Sequence, residues 1–197
     1  ALDVLCKAHK ITKNKKYLEC AKKTLNTFYL TVEKGGITYK SDSIGWFYEE
    51  YAHPQSKKPK VLNGFMHALL GLHSYYNYTV DSSAKFLFDK GILRLKNDLP
   101  NYDMGNDHSY YDNLKWEANA VYHSIHLWQL NRMFEITNDS IFKMYFDKWS
   151  KRKEDNYILK SVRHPSKTST LLIITCFLIF LFSSLLVCEK YYLRSNY

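Results

Sequence analysis

Residues 75–92 read YYNYTVDSSAKFLFDKGI, and this stretch decides the fold. Aromatic residues run at helical spacing up to Tyr78, the pattern breaks after Thr79, and a second amphipathic stretch follows. Asp81 stands where a helix N-cap would. Two helices joined by so short a turn form a hairpin. Working outward, the pattern recurs at 8–25, AHKITKNKKYLECAKKTL, with its break after Thr12. It recurs again at 133–150, MFEITNDSIFKMYFDKWS, with its break after Thr137 and Asp139 as N-cap. Upstream of the central break, Leu62, Phe65, Met66, Leu69, Leu70 and Leu72 keep the same periodicity. A hairpin repeated three times predicts a mainly α fold, an (α/α) toroid-like array of helical hairpins.

Short β-like or irregular segments separate the hairpins. One is Gly35 to Tyr51, holding GGITYK and WFYEEY; the other is Tyr102 to Asp112, YDMGNDHSYYD. Insertions in such a repeat gather on one face, and chemistry is expected there. Lys57-Lys58-Pro59-Lys60 reads as a solvated loop tip.

The end of the chain is of another kind. Residues 168–188, TSTLLIITCFLIFLFSSLLVC, hold no charge and no proline. At about 1.5 Å per residue, such a helix spans about 30 Å of hydrocarbon. A C-terminal transmembrane helix is therefore expected over 168–188. A helical domain over 1–155 and a basic juxtamembrane linker over 156–167 precede it, and a short tail over 189–197 follows. Eight of the 28 Lys/Arg and three of the 19 Asp/Glu lie from Lys151 onward, so much of the +9 net charge flanks the apolar run. Positive-inside bias puts the large domain on the cytoplasmic side. The opening on Ala1, inside an apolar-periodic stretch, reads as a piece of a longer or processed chain.

Composition narrows the function. Hydrophobic residues make up 46%, enough for a core. With Cys176 and Cys188 in the apolar run, Cys6 and Cys20 make neither a disulfide framework nor a zinc quartet. Basicity without a nucleic-acid motif argues against nucleic acid as a partner. No GxGxxG motif calls for a nucleotide, and no cofactor is expected.

Three groups of residues could carry chemistry. Tyr48-Glu49-Glu50-Tyr51 is followed by Val61-Leu62-Asn63-Gly64-Phe65. On an extended segment the two carboxylates face opposite ways, so at most one enters a site. The second group is Tyr110-Tyr111-Asp112, and the third is Tyr122-His123 with His126 one helical turn on. A metal at His123 and His126 would need Asp112 or Glu117 as a third ligand, without HExxH context, and no metal is expected. Paired-carboxylate hydrolysis could draw on Glu50 and Asp112, although nothing selects that pair.

The stretches GWFYEEY, VLNGFMHALLGL, LPNYDMG and YHSIHLWQL–EITND–FDKW resemble the C-terminal domain of the D-glucuronyl C5-epimerase family, which converts glucuronate to iduronate in heparan-type chains. The resemblance spans roughly residues 1–150 and implies an (α/α) toroid-like domain. It places catalytic roles on Glu50, Tyr51, Tyr111 and Tyr122, with Tyr110 as the neighbouring alternative to Tyr111. Asn63 matches the Asn of the LNGF block. The animal enzymes carry an Arg soon after the middle Tyr; here Lys115 is the nearest cation, and the stretch from Asp112 to Tyr122 is shorter. The resemblance implies removal of the C5 proton by one group and its return by another on the opposite ring face, with Tyr51 opposing Tyr111 or Tyr122. Glu50 would tune or relay protons, and Asn63, Tyr110, Lys115, His123 and His126 would bind substrate. The resemblance implies an anionic uronate-containing polysaccharide as partner; the membrane, through 168–188, and a second copy of the chain are the other partners expected. The family points to an extracytoplasmic or Golgi-lumen-like site, against the charge bias. A uronate polysaccharide lyase and a membrane-tethered glycan-binding module are the rival readings.

Overall fold

The computed structural model describes residues 1–55, 58–105, 107–151 and 174–178. The chain divides into two compact units, Ala1–Arg152 and Lys153–Tyr197.

The first unit is three helical hairpins. They are α1 (Leu2–Thr12) with α2 (Lys16–Thr27), α3 (Leu62–Thr79) with α4 (Ser82–Asp98), and α5 (Ala120–Thr137) with α6 (Ser140–Trp149). A short antiparallel ribbon, β1 (Thr38–Tyr39) and β2 (Phe47–Tyr48), lies between the first two hairpins and pairs Thr38 with Tyr48 and Tyr39 with Phe47. The sequence reading of hairpins with short β segments between them therefore holds.

All three hairpins turn by one device. The threonine closing the first helix bonds back to the carbonyl four residues earlier: Thr12 to Ala8 at 2.7 Å, Thr79 to Tyr75 at 2.8 Å and Thr137 to Met133 at 2.7 Å. The next residue is left-handed, with φ of 57° at Lys13, 57° at Val80 and 52° at Asn138. The third residue donates its N–H to that threonine hydroxyl and accepts from an N–H of the second helix. Asn14 thus holds Lys16 N at 3.0 Å, Asp81 holds Ser83 N at 2.9 Å and Asp139 holds Ile141 N at 3.2 Å. Each turn satisfies groups that helix ends leave orphaned.

The first helices of the hairpins pack side by side, α1 on α3 and α3 on α5, and each second helix packs on its own partner. Together they make an arc centred on α3. The apolar stripe of α3 (Leu62, Phe65, Met66, Leu69, Leu72, Tyr75) is buried at helical spacing. Gly91 lets α4 close on it, because a methyl group there would fall 2.2 Å from Leu69 and 2.9 Å from Tyr48. Closure of the arc into a ring is not seen among the described residues.

Of the second unit, residues 174–178 are described and are helical. No helix among the described residues is long and apolar enough to cross a membrane. The expected span over 168–188, apart from 174–178, lies outside the described residues, as do the linker over 156–167 and the tail over 189–197.

Candidate functional site

The segment after β2 sorts the two adjacent carboxylates as the period of an extended chain requires. Glu49 turns inward and is buried; its carboxylate accepts from the N–H of Glu50 at 3.1 Å and of Lys60 at 3.0 Å. It closes the loop between β2 and α3 and has no face toward solvent chemistry. Glu50 turns outward and lies against the first turn of α3. Gly64 makes room for it: a methyl group on Gly64 would fall 2.3 Å from Glu50 Oε2 and 2.9 Å from its Cδ. Loss of water there raises the Glu50 carboxyl above its usual range. The positive end of the α3 dipole faces the same carboxylate.

Tyr111 ties this corner together. Its carbonyl accepts from Leu62 N at 3.0 Å at the start of α3, and its ring lies on Tyr122 in the first turn of α5, with centroids 4.6 Å apart. Its hydroxyl is hydrogen-bonded to Tyr51. Burial first, then the bond to Tyr51 and the nearby charge of Glu50, push the Tyr111 phenol well above its ordinary value. The structure thus brings Glu50, Tyr51, Tyr111 and Tyr122 to one place, although they come from three separate stretches of chain. Tyr51 is the outermost, 55% exposed. The phenols form a connected row. They do not form two walls with a ring-wide gap, so the opposed pair that the resemblance implies is not preformed.

Asn63, beside Glu50 at the start of α3, is buried. Its peptide carbonyl accepts from Gln129 Nε2 at 2.9 Å, and its side-chain oxygen has no hydrogen-bond partner among the described residues. From Glu50 and Gly64 a cleft of about 410 Å³ follows α3 past His67 to Gly71. A groove of about 820 Å³ shares His67 and Gly71 and continues along the inner face of the arc between Lys7 and Lys10 of α1 and Trp128 and Arg132 of α5.

Other expected site residues stand apart. The Lys115 ammonium donates to the carbonyl of Asn101 and lies 4.8 Å from the centre of the Tyr110 ring. Its backbone is left-handed, with φ of 69°, which carries its side chain to that side of the loop. Tyr110 and Tyr111 project from opposite faces of an extended segment, so Tyr110 with Lys115 leaves the row of phenols. His123 and His126 are buried, 6% and 0% exposed, around the buried Ser109 hydroxyl, which lies 2.9 Å from each Nδ1. The Trp149 carbonyl, 3.2 Å from His123 Nε2, can only accept a hydrogen bond, so His123 Nε2 carries the proton and donates it to that bond. His123 Nδ1 then accepts from Ser109, so His126 Nδ1 must donate to Ser109. The His108 ring packs against that of His123, tilted by 47° with centroids 4.2 Å apart. Burial, then the neighbouring His123 and His108, push His126 down to about 3. This cluster joins loop 108–109 to α5 and to the end of α6, and it offers a polymer no face.

Asp112 is buried and accepts from Leu114 N at 3.0 Å and Trp116 N at 3.2 Å, which makes it the knot of its own loop. No cluster of three His, Cys, Asp or Glu able to hold a metal occurs among the described residues. The Lys57–Lys60 segment is not wholly a solvated tip. Lys60 is partly buried, its N–H bonded to Glu49 and its carbonyl accepting from Tyr102 at 2.7 Å. Burial and the nearby Arg94 lower its ammonium. Sequence reasoning missed Gln129 and named Gly64 only within the Val61–Phe65 stretch, without a role of its own.

Comparison with known proteins agrees with this geometry. Residues 1–151 match the family described as the D-glucuronyl C5-epimerase C-terminus. An uncharacterised protein of Methanocaldococcus jannaschii is 38% identical over 152 residues, which are 75% of this chain and 48% of that protein. The D-glucuronyl C5-epimerase of Caenorhabditis elegans is 30% identical over 171 residues, 75% of this chain and 26% of the enzyme. The chain spans about half the length of the first of these relatives and about a quarter of the second. With residues 1–151 matched, most of its length, the chain belongs to the D-glucuronyl C5-epimerase C-terminal family.

Proposed function

We propose that this chain carries the proton-transfer site of a polysaccharide uronate C5-epimerase, converting D-glucuronate to L-iduronate units. The observation that carries the reading is the meeting of Glu50, Tyr51, Tyr111 and Tyr122 beside the start of α3. The C5 hydrogen of a uronate is weakly acidic because it lies α to a carboxylate. Its removal builds enolate-like charge that the site must stabilise. Glu50, held partly away from water, is the stronger base for it. Tyr111 keeps its proton and serves as donor. Tyr122 packs the donor in place. Tyr51, exposed and bonded to Tyr111, is the group a sugar ring displaces on entry, and its departure opens the gap that two-sided transfer needs. The α3 dipole and the Asn63 amide lie where the substrate carboxylate gathers charge. The cleft that begins at Glu50 and the groove that shares His67 and Gly71 with it would take the polymer, and closure of the arc into a full toroid belongs to this same reading.

The test is incubation of the intact protein with a glucuronate polymer in deuterated water. Deuterium at C5 is expected, and it should be lost in Glu50→Gln and Tyr111→Phe. Absence of uptake, or full uptake in both variants, refutes the assignment; an unsaturated product absorbing in the ultraviolet would make the chain a lyase. One observation favours a binding module instead: Lys115 is spent on Asn101 and Tyr110. Saccharide binding without exchange would establish that reading. Residues 168–188 are proposed as a membrane anchor, tested by whether the full chain needs detergent for extraction and a chain ending at residue 155 does not.

A further inference from the structure

On the loop that follows Tyr111 stands an exposed indole to which the sequence reading gave no role. Trp116 is 70% exposed. An exposed tryptophan on a floppy loop would mean little, but this one is held. Its carbonyl accepts from Tyr111 N at 2.6 Å, and its N–H donates to Asp112 Oδ1 at 3.2 Å. Asp112 takes Leu114 N as well, and Asn113 N donates to the Pro59 carbonyl at 2.8 Å. On the far side, Tyr110 is bridged to Glu117 in antiparallel register, with Ala118 N bonded to Ser109 O at 3.1 Å. That register sets Tyr111 opposite Trp116. Opposed residues of an antiparallel pair project from the same face, with Cβ atoms about 5 Å apart. The indole therefore stands on the phenol side of the loop, while Tyr110 and Lys115 take the other side.

A rigid loop that keeps a large apolar ring in water beside a reaction site is built for a partner with an apolar face and polar edges. The C–H face of a pyranose has that form. Tryptophan supplies much contact area at little conformational cost. We propose that Trp116 is a stacking platform for a sugar unit neighbouring the one that reacts at Tyr111, so that the loop from Asp112 to Glu117 is a binding subsite for a glycan chain. The proposal rests on the reading of this site as a polysaccharide site and adds a subsite to it.

The experiment uses the intact protein, its Trp116→Ala and Trp116→Phe variants, and the unsulfated glucuronate–N-acetylglucosamine polymer with short oligosaccharides cut from it. Binding is read by calorimetry, exchange by deuterium at C5, and fold by thermal unfolding. Trp116→Ala should weaken polymer binding and raise KM about tenfold, with kcat and the melting temperature unchanged. Trp116→Phe should recover most of the loss, and a fragment too short to reach a second unit should not feel the change. Unaltered polymer affinity in Trp116→Ala, or no affinity of the intact protein for the polymer, overturns the platform. Binding that depends on Trp116 without deuterium exchange upholds the platform and refutes the epimerase. Exchange that ignores Trp116 does the reverse.

Discussion

At the scale of single residues, Gly64 makes the space that Glu50 occupies. Adding a methyl group there would meet the Glu50 carboxylate at 2.3 Å and the Glu50 Cβ at 2.9 Å, so the side chain and the backbone that carries it must both give way. Alanine suits a helix better than glycine by up to about 1 kcal/mol. Gly64→Ala should therefore lower C5 exchange about 10- to 100-fold, since misplacing a catalytic group by about 1 Å costs that much. Its melting temperature should fall as well, because the preference of a helix for alanine offsets the shift at the Glu50 Cβ only in part. The raised carboxyl of Glu50 gives a pH signature. The base works ionised, so kcat/KM should fall on acidification at a pH above that of an ordinary carboxylate, and a limb at the ordinary carboxylate pH would count against Glu50 as the base. His126 gives the opposite kind of signal, in stability. Its folded value, near 3, lies below the ordinary 6.5, so between those values the unfolded chain takes up a proton that the folded chain refuses. Stability from this group is complete above about 6.5 and drains away as pH falls toward 3, by on the order of a few kcal/mol. Urea midpoints measured from pH 7 to pH 4 should fall, and should fall less in His126→Gln.

Among the elements, the repeated turn is the most informative. Lys13, Val80 and Asn138 occupy the same left-handed position, which asparagine tolerates and a β-branched residue does not. Val80 is 75% exposed, so its side chain contributes little packing in return. Val80→Asn should stabilise the chain by about 1 kcal/mol, seen as a higher urea midpoint with an unchanged slope. Asp139→Ala should cost about 1 kcal/mol or more, because Asp139 caps α6 and also pairs with Lys96 at 2.5 Å. These turns were legible beforehand. Thr12, Thr79 and Thr137 with their downstream Asn or Asp act through hydrogen bonds within a few residues, so spacing along the chain carries the information. The loop from Asp112 to Glu117 was not legible. Lys115 counts as the nearest cation by sequence distance, but a left-handed backbone at that residue sends its ammonium to Asn101.

For the molecule as a whole, α3 is the member on which the arc depends, since α1, α4 and α5 all pack against it. Leu69 lies at the centre, fully buried and touched by the approach of α4 at Gly91. Leu69→Ala should cost about 3 kcal/mol and lower the stability of every hairpin together, so circular dichroism and tryptophan fluorescence should report one shared transition.

Helix periodicity, caps and turn chemistry act over at most a few residues, and for that reason the amino-acid order alone determined the three hairpins, the ribbon between them and the opposite facing of Glu49 and Glu50. The meeting of Glu50, Tyr51, Tyr111 and Tyr122, the sealing of His123 and His126 in the interior, and the exposure of Trp116 beside Tyr111 were decided only by tertiary structure. Residues about 60 to 70 positions apart come together through the packing of α3 against its neighbours, and no local pattern encodes which side chains that packing buries and which it leaves exposed.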